Sequence, residues 1–238
     1  ILSSTVPNCV SYDPAYGYEL AVILQDGLRR MYGEQENVFY YITLMNENYA
    51  HPPMPDGAEE GIRKGMYLLR EGKPGKGKKA AKRVQLLGAG TILREVEAAA
   101  DILREQYGIE ADVWSVTSFN ELRRDGMDAE RWNMLHPEDK PRQSWVAQCL
   151  DGRSGPVVAA TDYMKIYADQ IRPYISAPYK VLGTDGFGRS DSRAKLREFF
   201  EVDRRFVTLA ALKALADAGE LEVSVVSKAC LLYTSPSP

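Results

Sequence analysis

A glycine-rich segment carries the residues best suited to binding an anion. Residues 181–200, VLGTDGFGRSDSRAKLREFF, read as a buried strand, a turn with glycines at 183, 186 and 188, and a helix. Those glycines allow positive φ and close backbone approach, and Ser190, Asp191 and Ser192 are favoured N-cap residues. The turn's N–H groups, with Arg189 and Arg193 beside them, could hold an anion. A structural turn is the simpler interpretation, because the spacing fits neither the dinucleotide fingerprint nor the P-loop.

Polar residues also follow the other predicted strands, where ligands bind in open α/β sheets. These positions include Glu47, Thr161 and Asp162. The functional interpretation makes such residues the rim of a cleft or a domain junction. The structural alternative, helix caps and turns, accounts for Asp13, Asp162 and the Ser/Asp group. The candidate residues for a cleft rim or domain junction are Asp13, Tyr16, Asn46, Asn48, Asp185, Arg189, Asp191 and Arg193.

Motifs for catalysis are missing from the sequence. There is no GxSxG elbow, and the two histidines, His51 and His136, stand in no metal-binding pattern. The three cysteines, Cys9, Cys149 and Cys230, have spacings typical of neither a disulfide framework nor a metal site. We therefore predict no catalytic, metal-binding or cofactor-binding residue.

The elements that would position these residues begin with a parallel strand–helix–strand unit. Residues 10–12 predict a strand, and Asp13 with Pro14 predicts the N-cap and first residue of a helix. Its apolar stripe consists of Leu20, Ile23, Leu24, Leu28 and Met31, and it ends near Gly33. Residues 37–44, NVFYYITL, predict a second strand, buried on both faces.

A proline-rich stretch then predicts a linker at residues 50–56. A short helix and a strand follow it. The basic residues 73–83 could contact phosphate or an acidic partner, but they lack the interleaved aromatic residues of a nucleic-acid surface. We interpret them as a solvated hairpin loop.

The rest of the chain alternates strands with helices. Predicted strands cover residues 84–90, 111–118, 156–162 and 179–185, and predicted helices cover 91–108, 163–175 and 204–218. Residues 117–122 predict a brief helix, the following stretch is less regular, and residues 145–150 predict a short one. The fold class is therefore α/β, with a mostly parallel sheet covered by helices on both faces.

The composition and the chain ends indicate which partners and which cellular location to expect, and whether the chain is a fragment. A 238-residue chain with net charge −3 indicates neither nucleic acid nor membrane as a partner, and without a signal peptide it predicts a cytoplasmic protein. Residue 1 is not methionine, so we expect a piece of a longer protein. Residues 230–238, CLLYTSPSP, resemble a translated sequencing adapter, and we interpret them as an artefact.

Several segments resemble the homodimeric pyruvate dehydrogenase first component, a family of thiamine diphosphate enzymes with transketolase-like architecture. They are GTDGFGRSDSR, SYDPAYGYELAVILQDGLRRMYG, NVFYYITLMNENYAHPPMPDGAEEGIRKG, DVWSVTSFNELRRDGMDAERWNMLHP and ATDYMK. They follow one another in family order over residues 5–229. The resemblance implies that residues 1–49 end a pyrimidine-binding domain and that residues 57–229 form a transketolase C-terminal-like domain.

The resemblance also implies an activity that this segment lacks by itself. The family decarboxylates pyruvate on thiamine diphosphate with magnesium and acetylates lipoyl groups of an acetyltransferase core, acting as a homodimer. Its magnesium and diphosphate motif, activating glutamate and catalytic histidines precede the matched segments, so we expect this fragment to bind no cofactor and to be inactive. Two alternatives stay open: a fragment of a related 2-oxo acid dehydrogenase or transketolase, and a non-catalytic α/β dimerisation or interaction module.

Overall fold

The structure is a computed structural model that describes residues 1–74 and 81–234. The described strands are β1 (Cys9–Tyr12), β2 (Phe39–Ile42), β3 (Met66–Arg70), β4 (Arg83–Gly88), β5 (Glu110–Val116), β6 (Val157–Ala160) and β7 (Tyr179–Leu182). The described α-helices are α1 (Gly17–Leu28), α2 (Ala58–Lys64), α3 (Leu93–Tyr107), α4 (Phe119–Leu135), α5 (Trp145–Leu150), α6 (Lys165–Asp169), α7 (Arg193–Phe199), α8 (Arg204–Asp217) and α9 (Val223–Tyr233).

The main sheet has five strands in the order β3-β5-β4-β6-β7. Strands β5, β4, β6 and β7 run parallel to their neighbours, and β3 pairs antiparallel with β5 at one edge. Strands β4, β5 and β6 are almost entirely buried, as parallel strands covered on both faces must be. The prediction of a mostly parallel sheet is confirmed.

Helices cover both faces of this sheet and form two apolar cores. On one face α3, α8 and α9 bury residues such as Val96, Leu103 and Leu212 against β4 and β6. On the other face α4, α5 and α6 bury Phe119, Val146 and neighbouring side chains against β5 and β6. The helix α3 ends as predicted at Gly108, which has φ of 64°.

The N-terminal unit is a smaller parallel pair of strands joined by α1. Strand β1 pairs with β2 in the register Cys9 opposite Phe39. The predicted burial of β2 on both faces is wrong, because Phe39 and Tyr41 are 47% and 55% exposed on a sheet of only two described strands. The apolar stripe of α1 is likewise mostly uncovered: Ile23 is buried, but Leu24 and Leu28 are exposed.

Several predicted helix limits are corrected by the structure. Helix α1 begins at Gly17 after Tyr16, so Asp13 is not its N-cap. The brief helix expected at 117–122 is the start of the 17-residue α4, because the Ser118 hydroxyl accepts from the Glu121 N–H and caps it. Helix α7 has Ser192 as its N-cap residue, not Asp191. Helix α9 continues to Tyr233, within the segment interpreted as an adapter, whose residues 235–238 lie outside the described residues.

The basic segment 73–83 is not a hairpin loop. Strand β5 lies between β3 and β4, so the segment connects two strands that do not pair with each other. Residues 75–80 of that segment lie outside the described residues.

Candidate functional site

Residues that follow five strands surround one cavity, which we call the junction cavity. Its volume is about 370 Å³. Its walls come from residues that follow β1, β2, β4, β6 and β7 and from helix α7. The lining residues used below are Asp13, Met45, Gly90, Thr91, Asp162, Thr184, Arg189, Arg193, Leu196, Arg197, Phe200 and Val202.

The glycine-rich turn after β7 forms one wall because it lies directly against the residues after β6. A Cβ atom on Gly183 would lie 2.6 Å from the Tyr163 carbonyl oxygen, so this approach requires glycine. The Thr184 N–H donates to that same carbonyl at 2.8 Å. The Asp185 carboxylate accepts from the Lys165 N–H at 3.1 Å. Gly186 and Gly188 have φ of 89° and 75°, in the region that favours glycine.

Asp13 joins the N-terminal unit to the main sheet. Its N–H donates to the Thr117 carbonyl at 2.7 Å, and its carbonyl accepts from the Gly90 N–H at 3.2 Å. Its carboxyl group is buried at 5% exposure and accepts from the Thr43 hydroxyl at 2.8 Å through Oδ1. Burial raises the pKa of Asp13 to about 7, and the negative charges of Asp162 and Glu19 act in the same direction.

Asp162 is a second carboxyl group on the junction cavity. It follows β6 and accepts a hydrogen bond from the Thr91 hydroxyl at 3.2 Å. Burial raises its pKa, although the positive charge of Arg197 opposes that shift. The cavity therefore has acidic groups on the side formed by β1 and β6.

An ion-pair cluster links the segment after β2 to helices α3 and α7. Glu47 binds Arg197 at 2.6 Å and Arg94 at 2.8 Å, and it lies 3.8 Å from Arg193. Because Arg197 donates to it, the pKa of Glu47 is lowered. Arg197 is 8% exposed and also donates to the Thr91 hydroxyl at 3.2 Å. Three arginines from the larger sheet domain thus converge on one carboxylate of the N-terminal segment.

The same cluster extends to α8 through Glu95. Its carboxylate lies 3.5 Å from Arg197 and 2.8 Å from Arg204. Burial acts to raise the pKa of Glu95, but the hydrogen bonds and charge of Arg204 outweigh it, and the pKa is lowered.

Glu19 forms a second link that the sequence analysis did not find. Its fully buried carboxylate accepts from the N–H groups of Ala15 and Tyr16 at 2.5 and 3.0 Å. It also accepts from the Tyr67 and Ser115 hydroxyls at 2.7 and 2.6 Å, which belong to β3 and β5. A glutamate three residues after the N-cap residue Tyr16 is the capping-box position, the one signal that could have identified it.

The structure brings four of the predicted site residues together. Asp13, Arg189 and Arg193 line the junction cavity, and Asn46 contacts Arg193 through its side chain and its carbonyl oxygen. Asn46 also precedes Glu47, the centre of the ion-pair cluster.

The other four predicted residues lie apart from the junction cavity. The Tyr16 hydroxyl donates to Glu97 at 2.5 Å, and Asn48 is exposed. Asp185 holds the Lys165 N–H, and the Asp191 carboxylate accepts from the Ser192 N–H at 2.6 Å. The contacts of Asp185 and Asp191 belong to exposed turns, whereas Tyr16 is buried and its hydroxyl reaches helix α3.

A second cavity has a volume of about 520 Å³ and a mostly apolar lining. Its lining includes Ile1, Leu2, Tyr41, Met164 and Tyr167. Among its described lining residues no side chain is charged, and the ionisable ones are Cys9 and four tyrosines. In the described parts of the chain, no helix has both the length and the apolar character that crossing a membrane requires.

The junction cavity does not fit a magnesium-bound diphosphate. Within residues 1–74 and 81–234 no group of three His, Cys, Asp or Glu side chains could hold a metal ion. Of the cationic side chains that line the cavity, Arg193 is bound to Asn46 and Arg197 to Glu47, so neither is available to neutralise a diphosphate.

The histidines and cysteines also take structural positions. The His51 Nδ1 accepts from the Gly17 N–H at 2.7 Å, and its ring stacks on Tyr49. His136 lies against Trp132 at the end of α4. All three cysteines are free.

Comparison with family models gives two matches in chain order. The model "Pyruvate dehydrogenase E1 component middle domain" matches residues 1–52, and the model "Transketolase-like TK C-terminal domain" matches residues 65–203.

Among curated proteins, the chain is similar to three bacterial proteins named pyruvate dehydrogenase E1 component. It is 66% identical over 234 residues to that of Pseudomonas aeruginosa, which covers 98% of this chain. It is 58% identical to that of Cupriavidus necator and 60% identical to that of Escherichia coli, over 98% and 96% of the chain. The chain spans about a quarter of the length of these relatives, 26%, 26% and 25%. The resemblance stated from the sequence is confirmed.

Among solved structures, transketolases have the same fold. A complex from Pichia stipitis matches with a TM-score of 0.60 at 18% identity, over 91% of this chain and 26% of its own. Transketolase from Leishmania mexicana gives 0.61 at 17% identity over 91% of this chain and 26% of its own. A split-gene transketolase described as an inactive beta4 tetramer gives 0.59 at 20% identity, over 90% of this chain and 60% of its own.

Proposed function

We propose the function described below because the chain belongs to the family of transketolase-like C-terminal domains. The model of this family matches more than half of the residues of the chain. The chain is the C-terminal part of a pyruvate dehydrogenase E1 component. The whole enzyme decarboxylates pyruvate with thiamine diphosphate and magnesium and transfers the acetyl group to lipoyl groups. It acts as a homodimer beside a lipoyl acetyltransferase core in the cytoplasm.

One observation carries this proposal. The identity of 66% to the Pseudomonas aeruginosa E1 component extends over 98% of the chain, through both the N-terminal unit and the larger sheet domain. The likeness to transketolases, at 17–20% identity, supports the fold and not the substrate.

The same comparison supports a proposed division into domains. We propose that residues 1–49 end a pyrimidine-binding domain, that residues 50–56 are a linker, and that residues 57–229 form the C-terminal domain. The matched ranges 1–52 and 65–203 support these limits. The structure has no helix or strand between Thr43 and Gly57, a stretch that includes the linker.

In that enzyme, the role of this segment is to position one domain against another. Asp13, Glu19 and Glu47 all belong to the N-terminal unit, and all bind residues of the larger sheet domain. Because Glu19 and Glu47 bind through largely buried carboxylates, a small displacement of the unit would leave those two carboxylates without partners. The segment therefore fixes the geometry of the domain that carries β1 and β2.

A chimera tests the proposal. Residues 1–229 replace the matching segment of the Pseudomonas aeruginosa relative, and the unaltered relative is the control. We expect the chimera to consume pyruvate and acetylate lipoyl groups when thiamine diphosphate and magnesium are supplied.

Two outcomes would contradict this expectation. An assembled chimera that acts on a different 2-oxo acid or on a sugar phosphate, and not on pyruvate, would favour the related-enzyme alternative. An assembled chimera without activity on any of them would favour the non-catalytic module.

A further inference from the structure

The carboxyl group of Asp13 is buried where the N-terminal unit meets the larger sheet domain. The backbone of Asp13 bonds to that domain twice, since its N–H donates to the Thr117 carbonyl at 2.7 Å and its carbonyl accepts from the Gly90 N–H at 3.2 Å. Both carboxyl oxygens also lie against Gly90, because a Cβ atom on that glycine would come within 2.9 Å of each. The carboxyl group is therefore part of the contact between the two units.

This carboxyl group has no cationic partner among the residues that the structure describes. Its side-chain hydrogen bond comes from the Thr43 hydroxyl, a neutral donor of the same unit, at 2.8 Å. The negative charges of Asp162 and Glu19 face it and disfavour its ionised form. A charge that is buried beside like charges and without a counter-ion is costly, whereas a protonated carboxyl group is neutral. The closed contact therefore favours the protonated acid.

We propose that Asp13 is a pH-sensitive latch between the N-terminal unit and the larger sheet domain. The contact of Asp13 with Gly90 stays closed while the carboxyl group is protonated. When the carboxyl group ionises, this contact opens, the two backbone hydrogen bonds of Asp13 break, and one proton passes to the solvent. The inference concerns contacts within this chain and is independent of the activity proposed above.

The opening needs little movement because the junction cavity adjoins the contact. Asp13 and Gly90 both line this cavity of about 370 Å³. A small separation of the two residues lets solvent reach the carboxylate from the cavity. The apolar core that Val10 and Ile23 share with Ile62 of α2 can stay packed during this movement. The opening is therefore local, and the larger sheet remains folded.

The direction of the pH effect follows from the two protonation equilibria. Burial raises the pKa of Asp13 to about 7 in the closed contact, and a solvated aspartate has a pKa of about 3.9. The closed form therefore binds the proton more tightly. The stabilisation by this proton is complete below about pH 3.9 and is lost as the pH rises through 7. The ratio of open to closed chains should rise up to about 70-fold between about pH 5 and about pH 7.5 and then level off.

Other ionisable groups also face Asp13, so the effect has to be assigned with variants. The pKa values of Glu19 and Asp162 are raised by burial as well. The arginines and tyrosines keep their charge in this pH range. The full set is Glu19 of α1, Tyr49, Asp162, Tyr163, Tyr167 of α6, Arg189, Arg193 and Arg197 of α7.

Native-state hydrogen exchange of the 238-residue chain, followed by NMR, tests the proposal. The Gly90 N–H reports the contact directly because it bonds to the Asp13 carbonyl. After correction for the intrinsic exchange rate, its opening ratio should rise up to about 70-fold from about pH 5 to about pH 7.5. Low concentrations of urea should hardly change this opening, which exposes little surface. They should accelerate exchange of the buried β6 amides, which need global unfolding.

Three variants assign the effect. Asp13→Asn replaces the acid with a neutral side chain of the same shape and should abolish the rise. Asp162→Asn removes a facing charge, so it should make the rise smaller and end it at a lower pH. Asp185→Asn changes an exposed carboxylate outside the cavity and should match the wild type.

Three results would each overturn the proposal. The first is an opening ratio at Gly90 that stays constant between about pH 5 and about pH 7.5 in the wild-type chain. The second is a rise that persists in Asp13→Asn or, where that variant does not fold, a rise that Asp162→Asn leaves unchanged. The third is a urea dependence at Gly90 equal to that of the β6 amides, because the pH would then act only on global unfolding.

Discussion

Glu47 shows how one side chain can hold two parts of this molecule together. It lies in the segment after β2, yet its partners Arg94, Arg193 and Arg197 all belong to the larger sheet domain. Its side chain is 16% exposed and that of Arg197 is 10% exposed, so their interaction is weakly screened by solvent. The pairs with Arg94 and Arg193 are more exposed and contribute less.

Glu47→Gln should therefore lower the free energy of unfolding by about 2–3 kcal/mol, because Arg197 stays buried without its main counter-charge. Glu60→Gln is the matched control. Glu60 pairs with Lys64 on the surface, where both side chains are about half exposed at 61% and 45%, and its replacement should cost much less than that of Glu47. Urea unfolding of both variants measures the difference. Equal costs would show that the cluster does not stabilise the junction.

Asp13 should make stability depend on pH. Its pKa is about 7 when folded and about 3.9 when unfolded, so the folded state binds the proton more tightly. The stability that this proton contributes is complete below the unfolded pKa and is lost as the pH rises through 7. Relative to Asp13→Asn, the wild-type chain should lose about 2–3 kcal/mol between about pH 5 and about pH 7.5.

Urea unfolding at several pH values measures this difference. The exposed Asp185→Asn variant is the control and should follow the wild-type curve. A constant difference between Asp13→Asn and the wild type would contradict a raised pKa.

At the scale of elements, the turn after β7 contains two kinds of glycine. Gly183 lies against the backbone of neighbouring residues, and Gly186 lies in an exposed loop. Gly183→Ala should cost about 1–3 kcal/mol, because its Cβ would meet backbone atoms of Tyr163 and Lys165 at 2.6 and 2.8 Å. Gly186→Val should cost a similar amount for a different reason, since φ of 89° strains a β-branched residue in open space. Asp191→Ala should cost less than about 0.5 kcal/mol, because Ser192 is the N-cap residue.

Thermal unfolding of the three variants checks this order. If Asp191→Ala costs as much stability as Gly183→Ala, the polar residues of the turn stabilise it as much as the close backbone approach does, and the expected order is wrong.

Strand β2 should be the least protected strand of the molecule. It pairs only with β1 among the described strands, and two of its four residues, Phe39 and Tyr41, are exposed. Isolated two-stranded sheets are marginally stable. Hydrogen exchange should be faster at Phe39–Ile42 than at Val157–Ala160 of β6, which is buried between β4 and β7. Equal protection would mean that an association of chains covers β2.

The sequence could predict those elements that a continuous apolar pattern marks along the chain. Strands β4, β5 and β6 and helix α3 were predictable because apolar runs and Gly108 mark them locally. Strand β2 has the same apolar composition, but its exposure depends on which strands lie beside it. Asp13 looked like a helix cap, although its backbone binds Thr117 and Gly90, and this contact across more than 70 residues leaves no local signal.

The candidate site was predictable only in part, for the same reason. Rules about strand ends and glycine turns identified Asp13, Asn46, Arg189 and Arg193. They did not reveal that Glu95 binds an arginine 109 residues away or that Glu19 binds Ser115, 96 residues away. Pairings at such separations are set by the sheet order, which the pattern of strands and helices leaves open.

At the scale of the whole molecule, the two parts differ in how complete they are. The larger sheet domain has apolar cores on both faces of its sheet. The N-terminal unit has a small core, and the exposed residues of α1 and β2 face outward. This small core is shared with the larger sheet domain, because Val10, Tyr12 and Ile23 pack against Ile62 of α2 and Tyr67 of β3, and the charged contacts of Glu19 and Glu47 add to that packing.

For the whole molecule, we predict that the chain by itself does not bind thiamine diphosphate. The described residues contain no group of three side chains that could hold a metal ion, and the lining arginines Arg193 and Arg197 are already bound to Asn46 and Glu47, so they are not available to a diphosphate. Calorimetric titration with thiamine diphosphate and magnesium should give no saturable heat at micromolar concentrations. The Pseudomonas aeruginosa relative, titrated in parallel, is the positive control. Saturable binding to the 238-residue chain that Arg189→Gln abolishes would instead assign the cofactor to the junction cavity.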